Sequence, residues 1–373
     1  MIIAGEVSGD LHGASLIKEL KAIDSEINIF GIGGDKMKAA GMNIIYHINK
    51  MAFLGFVEVV KHLPFIKDVQ NNLIKKAVEN KIKNVVLIDY PGFNLSIAKK
   101  LKKLNINLIY YISPQIWAWG AGRIQKIKKL INKMLVVFPF EEKLYKNAGV
   151  DVEFVGHPLL ERVKEYDFLS KDELYNKFNL DKEKELLLIL PGSRNHEVEK
   201  IFPECIKAAE KLADDFNLQV VAACSPNIDD NIFNRITNLR NFKVIKDRTY
   251  DLLKYAKFGI VKSGTSTLEA GLFELPMVIV YKTSYLTYLI GKNLIKVDNI
   301  GMVNIIAGEK VAAELIQSEV NKQSIYSECK KILSDKNLYN AVKNTLACIK
   351  EKLGSEGASK KAAKAIYALM NEA

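Results

Sequence analysis

Cysteine is scarce and forms no pattern: Cys205, Cys224, Cys329 and Cys348 lie too far apart for a CxxC pair or a zinc site. That spacing points to free thiols in a reducing cytosol. No apolar run reaches membrane-spanning length, and no basic stretch precedes the apolar residues at the N-terminus, so neither a transmembrane helix nor a secretory signal is expected. The metalloprotease motif HExxH is absent, because Lys200 stands where His196-Glu197 needs its second histidine. The dinucleotide motif GxGxxG is absent too, with Lys36 in the place of the third glycine after Gly31-Ile32-Gly33. Fixed-period repeats and low-complexity segments are also missing, which leaves an ordinary globular chain.

Negative charge is the scarcer sign. Against 43 Asp and Glu stand 54 Lys and Arg, a net charge of +11 that favours anionic partners: nucleic acid, a phospholipid surface or a phosphorylated substrate. The lysines are spread over many amphipathic segments, and no helix-turn-helix, RNP or zinc-finger signature accompanies them, so no nucleic-acid partner is expected. With 373 residues, 49% of them hydrophobic, the chain has enough apolar surface for two domains of usual size.

Short apolar runs alternate with helical spacings in both halves, which predicts an α/β protein of two Rossmann-like, doubly wound domains. The first run, Ile2 to Ala4, ends in a Gly-rich turn where Ser8 or Asp10 is expected to cap the following helix. Asn84 to Ile88 reads as a central parallel strand stopped by Pro91-Gly92, which leaves Asp89 at its carboxyl end. That edge of an open α/β sheet is where ligands bind, so Asp89 is a candidate base, with turn capping as its structural alternative. Trp117 and Trp119 occupy a loop bounded by Pro114 and Gly120, either to stack on a ligand or to anchor the loop. Arg123, Lys126, Lys128 and Lys129 follow on a helical stretch. In the second half the strand Glu185 to Leu190 delivers Arg194 to a similar edge, where a guanidinium suits phosphate oxygens. The strand ending at Val261 opens through Lys262 into Ser263-Gly264-Thr265, small residues that leave first-turn amides free for a phosphate at the positive end of a helix dipole. Glu269, one turn further, is placed for sugar hydroxyls, with a plain capped helix as the alternative.

Taken together, AGEVSGDLHGA, GIGGDKM, DYPGFN, YYISPQIWAWG, FPFEEKLY, FVGHPL, LPGSRNHEVE, SGTSTLEAGL and NIIAG run in order from Ala4 to Gly308. In these stretches the chain resembles the lipid-A-disaccharide synthase family. The resemblance implies a glycosyltransferase-B fold, two Rossmann-like domains facing a cleft. It also implies a reaction: UDP-2,3-diacylglucosamine joined to 2,3-diacylglucosamine 1-phosphate in a β-1,6 linkage, with release of UDP. Asp89 then matches the family's base and Asn304 a second active-site residue, while Arg194, Ser263, Gly264, Thr265 and Glu269 hold UDP. No cofactor and no metal are expected. Gly92 stands where the family often carries an aspartate.

Those substrates give a purpose to the crowded segment after Met51. Phe53, Leu54, Phe56 and Val57 are expected to face acyl chains or the cytoplasmic membrane surface, with nearby lysines for anionic headgroups, and plain core packing is the alternative. The expected domains are 1–165 for the acceptor lipid, 166–342 for UDP-sugar, and a helical 343–373 that packs on the first domain or on a partner subunit. A homodimer stays open. Competing activities are a UDP-N-acetylglucosamine 2-epimerase and a peptidoglycan glucosaminyltransferase, neither of which needs the apolar segment after Met51.

Overall fold

Near-continuous apolar runs become parallel strands buried on both faces, and the segments with helical spacing between them cover those faces. The computed structural model describes residues 1–51, 62–117, 122–226, 228–239, 241–283 and 299–371. Two units emerge, Met1–Glu161 together with Leu353–Ala373, and Arg162–Lys352.

The first unit contains β1 (Ile2–Ala4), α1 (Val7–Ile23), β2 (Phe30–Gly33), α2 (Asp35–Ala39), β3 (Asn43–His47), α3 (Leu63–Glu79), β4 (Asn84–Ile88), α4 (Pro91–Lys102), β5 (Asn107–Tyr111), α5 (Arg123–Leu130), β6 (Lys133–Val136), α6 (Pro139–Asn147) and β7 (Val152–Phe154). Its sheet runs β3-β2-β1-β4-β5-β6-β7, parallel throughout. Ile3, Leu87, Leu108 and Val136 pack from the sheet against Leu73 of α3 and Leu101 of α4. Strand order reverses between β1 and β4, so the turns leaving these two strands flank the crevice where such a sheet binds ligands.

The second unit repeats the plan. It contains β8 (Glu185–Leu190), α7 (Asn195–Phe216), β9 (Leu218–Cys224), β10 (Phe242–Lys246), β11 (Ala256–Lys262), α8 (Thr265–Leu272), β12 (Met277–Tyr281), α9 (Met302–Ala307), β13 (Ala313–Ile316) and α10 (Lys336–Ala347). The parallel order is β10-β9-β8-β11-β12-β13, and the reversal falls between β8 and β11. Leu187, Ile260 and Val278 meet Ile201, Phe202 and Cys205 of α7 in its core. All four cysteines are free thiols, and Cys348 is the exposed one.

Three expectations are corrected. The charged stretch 161–184 lacks a strand-like run and so reads from the sequence as the linker between the domains, yet from Arg162 onward it belongs to the second unit: Tyr166 donates to Asp251 at 2.7 Å, and Asp251 also accepts the Leu169 amide at 2.8 Å. Residues 343–352 stay with the second unit, where Leu346 and Ile349 are buried, so the return to the first unit begins at Leu353. The last helix, α11 (Ala358–Asn371), then packs on α1, and Glu161 takes the Ser359 amide and hydroxyl at 2.8 and 2.7 Å. Finally, neither Ser8 nor Asp10 caps α1. Its N-cap is Glu6, while the buried Asp10 carboxylate accepts the amides of Gly34, Lys36 and Met37 at the head of α2.

Candidate active site

Asp89 leaves β4 at the reversal point of the first sheet, in a turn that only its surroundings make tenable. Asp89 and Tyr90 both have φ of +46°, a left-handed conformation that costs non-glycine residues roughly 1–2 kcal/mol each. Several contacts fix it. The Asn94 amide donates to the Ile88 and Asp89 carbonyls at 3.2 and 2.7 Å, and the Tyr110 hydroxyl donates to the Asp89 carbonyl at 2.5 Å. The Asp89 amide donates to the Tyr111 carbonyl, and the Tyr90 hydroxyl to that of Met51. Gly5, at the end of β1, lies against the Tyr90 ring so closely that a Cβ there would sit 2.1 Å from a ring carbon. Both strands at the reversal point are thus built into one turn. Asp89 itself is half-buried. Burial, and then the Glu6 carboxylate from the turn after β1, push its pKa up to about 6 against the pull of the Tyr90 amide.

Behind this turn a second acid is used for construction. Glu141, buried in the first turn of α6, accepts from the Ser113 hydroxyl at 2.6 Å, the Trp117 indole at 3.1 Å and the Phe138 amide at 3.3 Å. Burial pushes its carboxyl up to about 7, and these donors pull the other way. Trp117 meets Phe140 edge-on at 5.3 Å, so it anchors its loop. Trp119 lies outside the described residues.

In the second unit the two turns at the reversal point carry cations. Arg194 is the N-cap residue of α7, half exposed, with its guanidinium 3.6 Å from Glu197. Glu197 accepts the Ser193 amide at 3.0 Å and the Lys262 ammonium, from the end of β11, at 2.9 Å. Burial opposes ionisation of Glu197, yet Lys262 foremost, with Ser193 and Arg194, holds its pKa below the usual value. Gly192, at φ +133°, gives Glu197 its room, since a Cβ there would lie 2.6 Å from the carboxylate. Opposite, Gly264 is the N-cap of α8 and Thr265, exposed, its first residue. Thr267 and Ser266 close the turn through the Gly264 and Lys262 carbonyls.

Three of the expected residues sit differently from a free binding group. Ser263 is buried, and its hydroxyl donates to the Ile300 carbonyl at 2.8 Å while its amide goes to Val280. Glu269 accepts from Arg162 at 2.9 Å and Tyr250 at 3.2 Å. Asn304, expected as a second active-site residue, is fully buried in α9 with both ends of its amide occupied. It donates to the Ala312 carbonyl and Glu314 and accepts the Ala312 amide, all within 2.8–2.9 Å. Glu314 in turn accepts the Ile300 and Gly301 amides. Asn304 therefore positions the loop on which Ser263 rests. Phe53, Leu54, Phe56 and Val57 lie outside the described residues.

Glu6, Glu197 and Lys262 are the residues that sequence reading passes over. The signal for each was local: Glu6 lies in the turn after the strand paired with β4, Glu197 is one turn beyond Arg194, and Lys262 directly precedes Ser263.

The chain is similar in fold to UDP-N-acetylglucosamine 2-epimerase of Neisseria meningitidis bound to UDP-GlcNAc. The TM-score is 0.65 at 14% identity, over 100% of this chain and 99% of that one. It is similar also to CalG4, the calicheamicin glycosyltransferase, with TM-score 0.63 at 13% identity over 100% and 97%. Two such α/β units define the fold of glycosyltransferase-B enzymes and their epimerase relatives. The lipid-A-disaccharide synthetase family model matches residues 1–368. The lipid-A-disaccharide synthase of Geobacter sulfurreducens is 39% identical over 100% of this chain and 97% of its own, and that of Syntrophus aciditrophicus 41% identical over 97% and 95%. The chain belongs to the lipid-A-disaccharide synthase family, a family of glycosyltransferases.

Proposed function

We propose that the protein joins UDP-2,3-diacylglucosamine to 2,3-diacylglucosamine 1-phosphate, forming a β-1,6-linked tetraacyl disaccharide 1-phosphate and UDP. The observation that carries the reading is Asp89, whose pKa of about 6 sits near working pH, as a general base requires. Asp89 accepts the proton of the acceptor 6-hydroxyl as its oxygen bonds to the anomeric carbon of the donor. The bond from that carbon to the UDP oxygen breaks, and the electron pair leaves with UDP. Inversion follows because attack and departure occupy opposite faces of the ring.

The departing diphosphate needs positive charge that is already in place. Arg194 and the amides at Gly264 and Thr265 supply it, with Lys262 behind them, in the role a divalent cation serves elsewhere. Glu269 takes the ribose hydroxyls, for which it has to share or release Arg162 and Tyr250. Ser263 and Asn304 act by holding the turn. Neither a cofactor nor a metal enters this scheme.

The acylated substrates place the enzyme at the cytoplasmic face of the membrane. Among the described residues no helix is long and apolar enough to cross a membrane. Peripheral contact through Phe53, Leu54, Phe56 and Val57 is the matching assignment, and changing these four to Ser is expected to reduce vesicle binding. The deciding experiment is product analysis with diacylated donor and acceptor in EDTA. Wild type is expected to form the disaccharide and Asp89→Asn is not; a wild type silent in EDTA removes the metal-free scheme, and an undiminished Asp89→Asn removes the base.

A further inference from the structure

Glu269 is gripped by one of its two oxygens. Arg162 donates from a single nitrogen, Nη2, to Glu269 Oε1 at 2.9 Å and to the Tyr250 hydroxyl at 2.6 Å, and that hydroxyl donates to the same Oε1 at 3.2 Å. Among the described residues no bond ends on Oε2. All three residues belong to the second unit: Arg162 is its first residue, Tyr250 lies in the helix Thr249–Tyr255 and Glu269 in α8. Both oxygens of an ionised carboxylate accept hydrogen bonds, so a Glu269 held in this way keeps one whole oxygen for a further donor.

The grip is itself supported. The Tyr250 ring packs edge-on against Tyr166 at 5.1 Å and tilted against Phe273 at 5.8 Å, and Asp251 fixes the Tyr166 hydroxyl in turn. Burial foremost, then the Glu269 charge, raises the Tyr250 pKa, so its proton stays in place as a donor. Arg162 Nε is buried without a partner among the described residues, a placement that costs the fold stability and that a site tolerates more readily than a core. Glu269 follows Thr265 by four residues, on the same face of α8 and about 6 Å further along its axis. That span suits the step from a diphosphate at the Gly264 and Thr265 amides to the hydroxyls of its ribose.

We propose that Arg162 and Tyr250 are positioning residues: by occupying Oε1 they hold Glu269 with Oε2 presented to the ribose diol, and so set a preference for a ribonucleotide. This rests on the nucleotide half of the reading above. The test is calorimetric binding of UDP and of 2′,3′-dideoxy-UDP to the full chain, comparing wild type with Tyr250→Phe, Arg162→Lys and Arg162→Gln. Wild type is expected to prefer UDP by at least about tenfold, the least that a hydrogen bond to a charged group contributes. Tyr250→Phe, which removes the hydroxyl and keeps the ring, should lower that preference about threefold and Arg162→Gln about tenfold. Arg162→Lys, which keeps the charge, should fall between wild type and Arg162→Gln, and all the variants should bind the dideoxy nucleotide as wild type does. A merely structural role would weaken both nucleotides equally, and that result overturns the proposal. So does a wild type that binds the two alike. If Arg162→Gln does not fold, Tyr250→Phe decides by itself. The readout is independent of turnover: a preference lost in the variants supports the grip even where wild type makes no disaccharide. A wild type that makes disaccharide yet binds both nucleotides alike rejects the grip alone.

Discussion

Asp89 and Glu197 each lie beside the reversal point of a parallel sheet, Asp89 after β4 and Glu197 after β8, and burial raises the cost of ionising both. Their neighbours then send them in opposite directions. Asp89 is near another carboxylate, Glu6, and titrates at about 6, whereas Glu197 is bonded to Lys262 and stays firmly ionised. A carboxylate with its charge left uncompensated can exchange a proton with substrate, and one neutralised by a lysine serves as scaffolding. Neighbours, more than burial, separate the chemical residue from the structural one.

The comparison breaks most visibly at Asp89. Asp89→Asn is expected to lower turnover by at least about a hundredfold, the usual share of a general base, with UDP affinity unchanged by calorimetry. Arg194→Ala should lower turnover on the order of a hundredfold by removing charge from the leaving diphosphate, and should weaken UDP as well. If both variants lose UDP binding equally, the division of roles between the two turns is wrong.

The division was legible because central strands are apolar and end abruptly: Asn84–Ile88 and Ala256–Lys262 announce the edges that carry Asp89 and Gly264. Two of the edge strands were not. Asn43–His47 and Ala313–Ile316 have one wet side and polar residues, so their runs are too broken to stand out. Long-range partners were equally hidden. Nothing local says that Asp10 caps a helix more than twenty residues on, that Arg162, in an apparent linker, pairs with Glu269, or that Asn304 spends its amide on Ala312 and Glu314. A motif marks a residue as needed, while only packing shows whether it touches substrate.

Lys262 sharpens the other side of the comparison. Lys262→Met would strand the buried Glu197 charge and is expected to cost about 3 kcal/mol of stability in denaturant titration, the scale for breaking a buried pair. Adding Glu197→Gln should restore part of that loss, since the stranded charge goes with it. Asp89→Asn should show no such destabilisation, because it removes a carboxylate that the fold already disfavours when ionised.

The smallest effect is the most discriminating. Because the folded pKa of Asp89 lies above its ordinary value of 3.8, the native state binds more protons than the unfolded one between about pH 4 and 6. Its contribution to stability therefore grows as pH falls through that window, while activity, which needs the ionised base, falls through pH 6. Glu6→Gln removes the second cause of the shift and leaves burial in place, so the acid limb of the activity profile should move to lower pH. At pH 7 about nine-tenths of Asp89 is already ionised, so the gain there is at most about a tenth, and the effect must be read between pH 5 and 6. An acid limb that does not move with Glu6→Gln would mean that the group titrating in the profile is not Asp89.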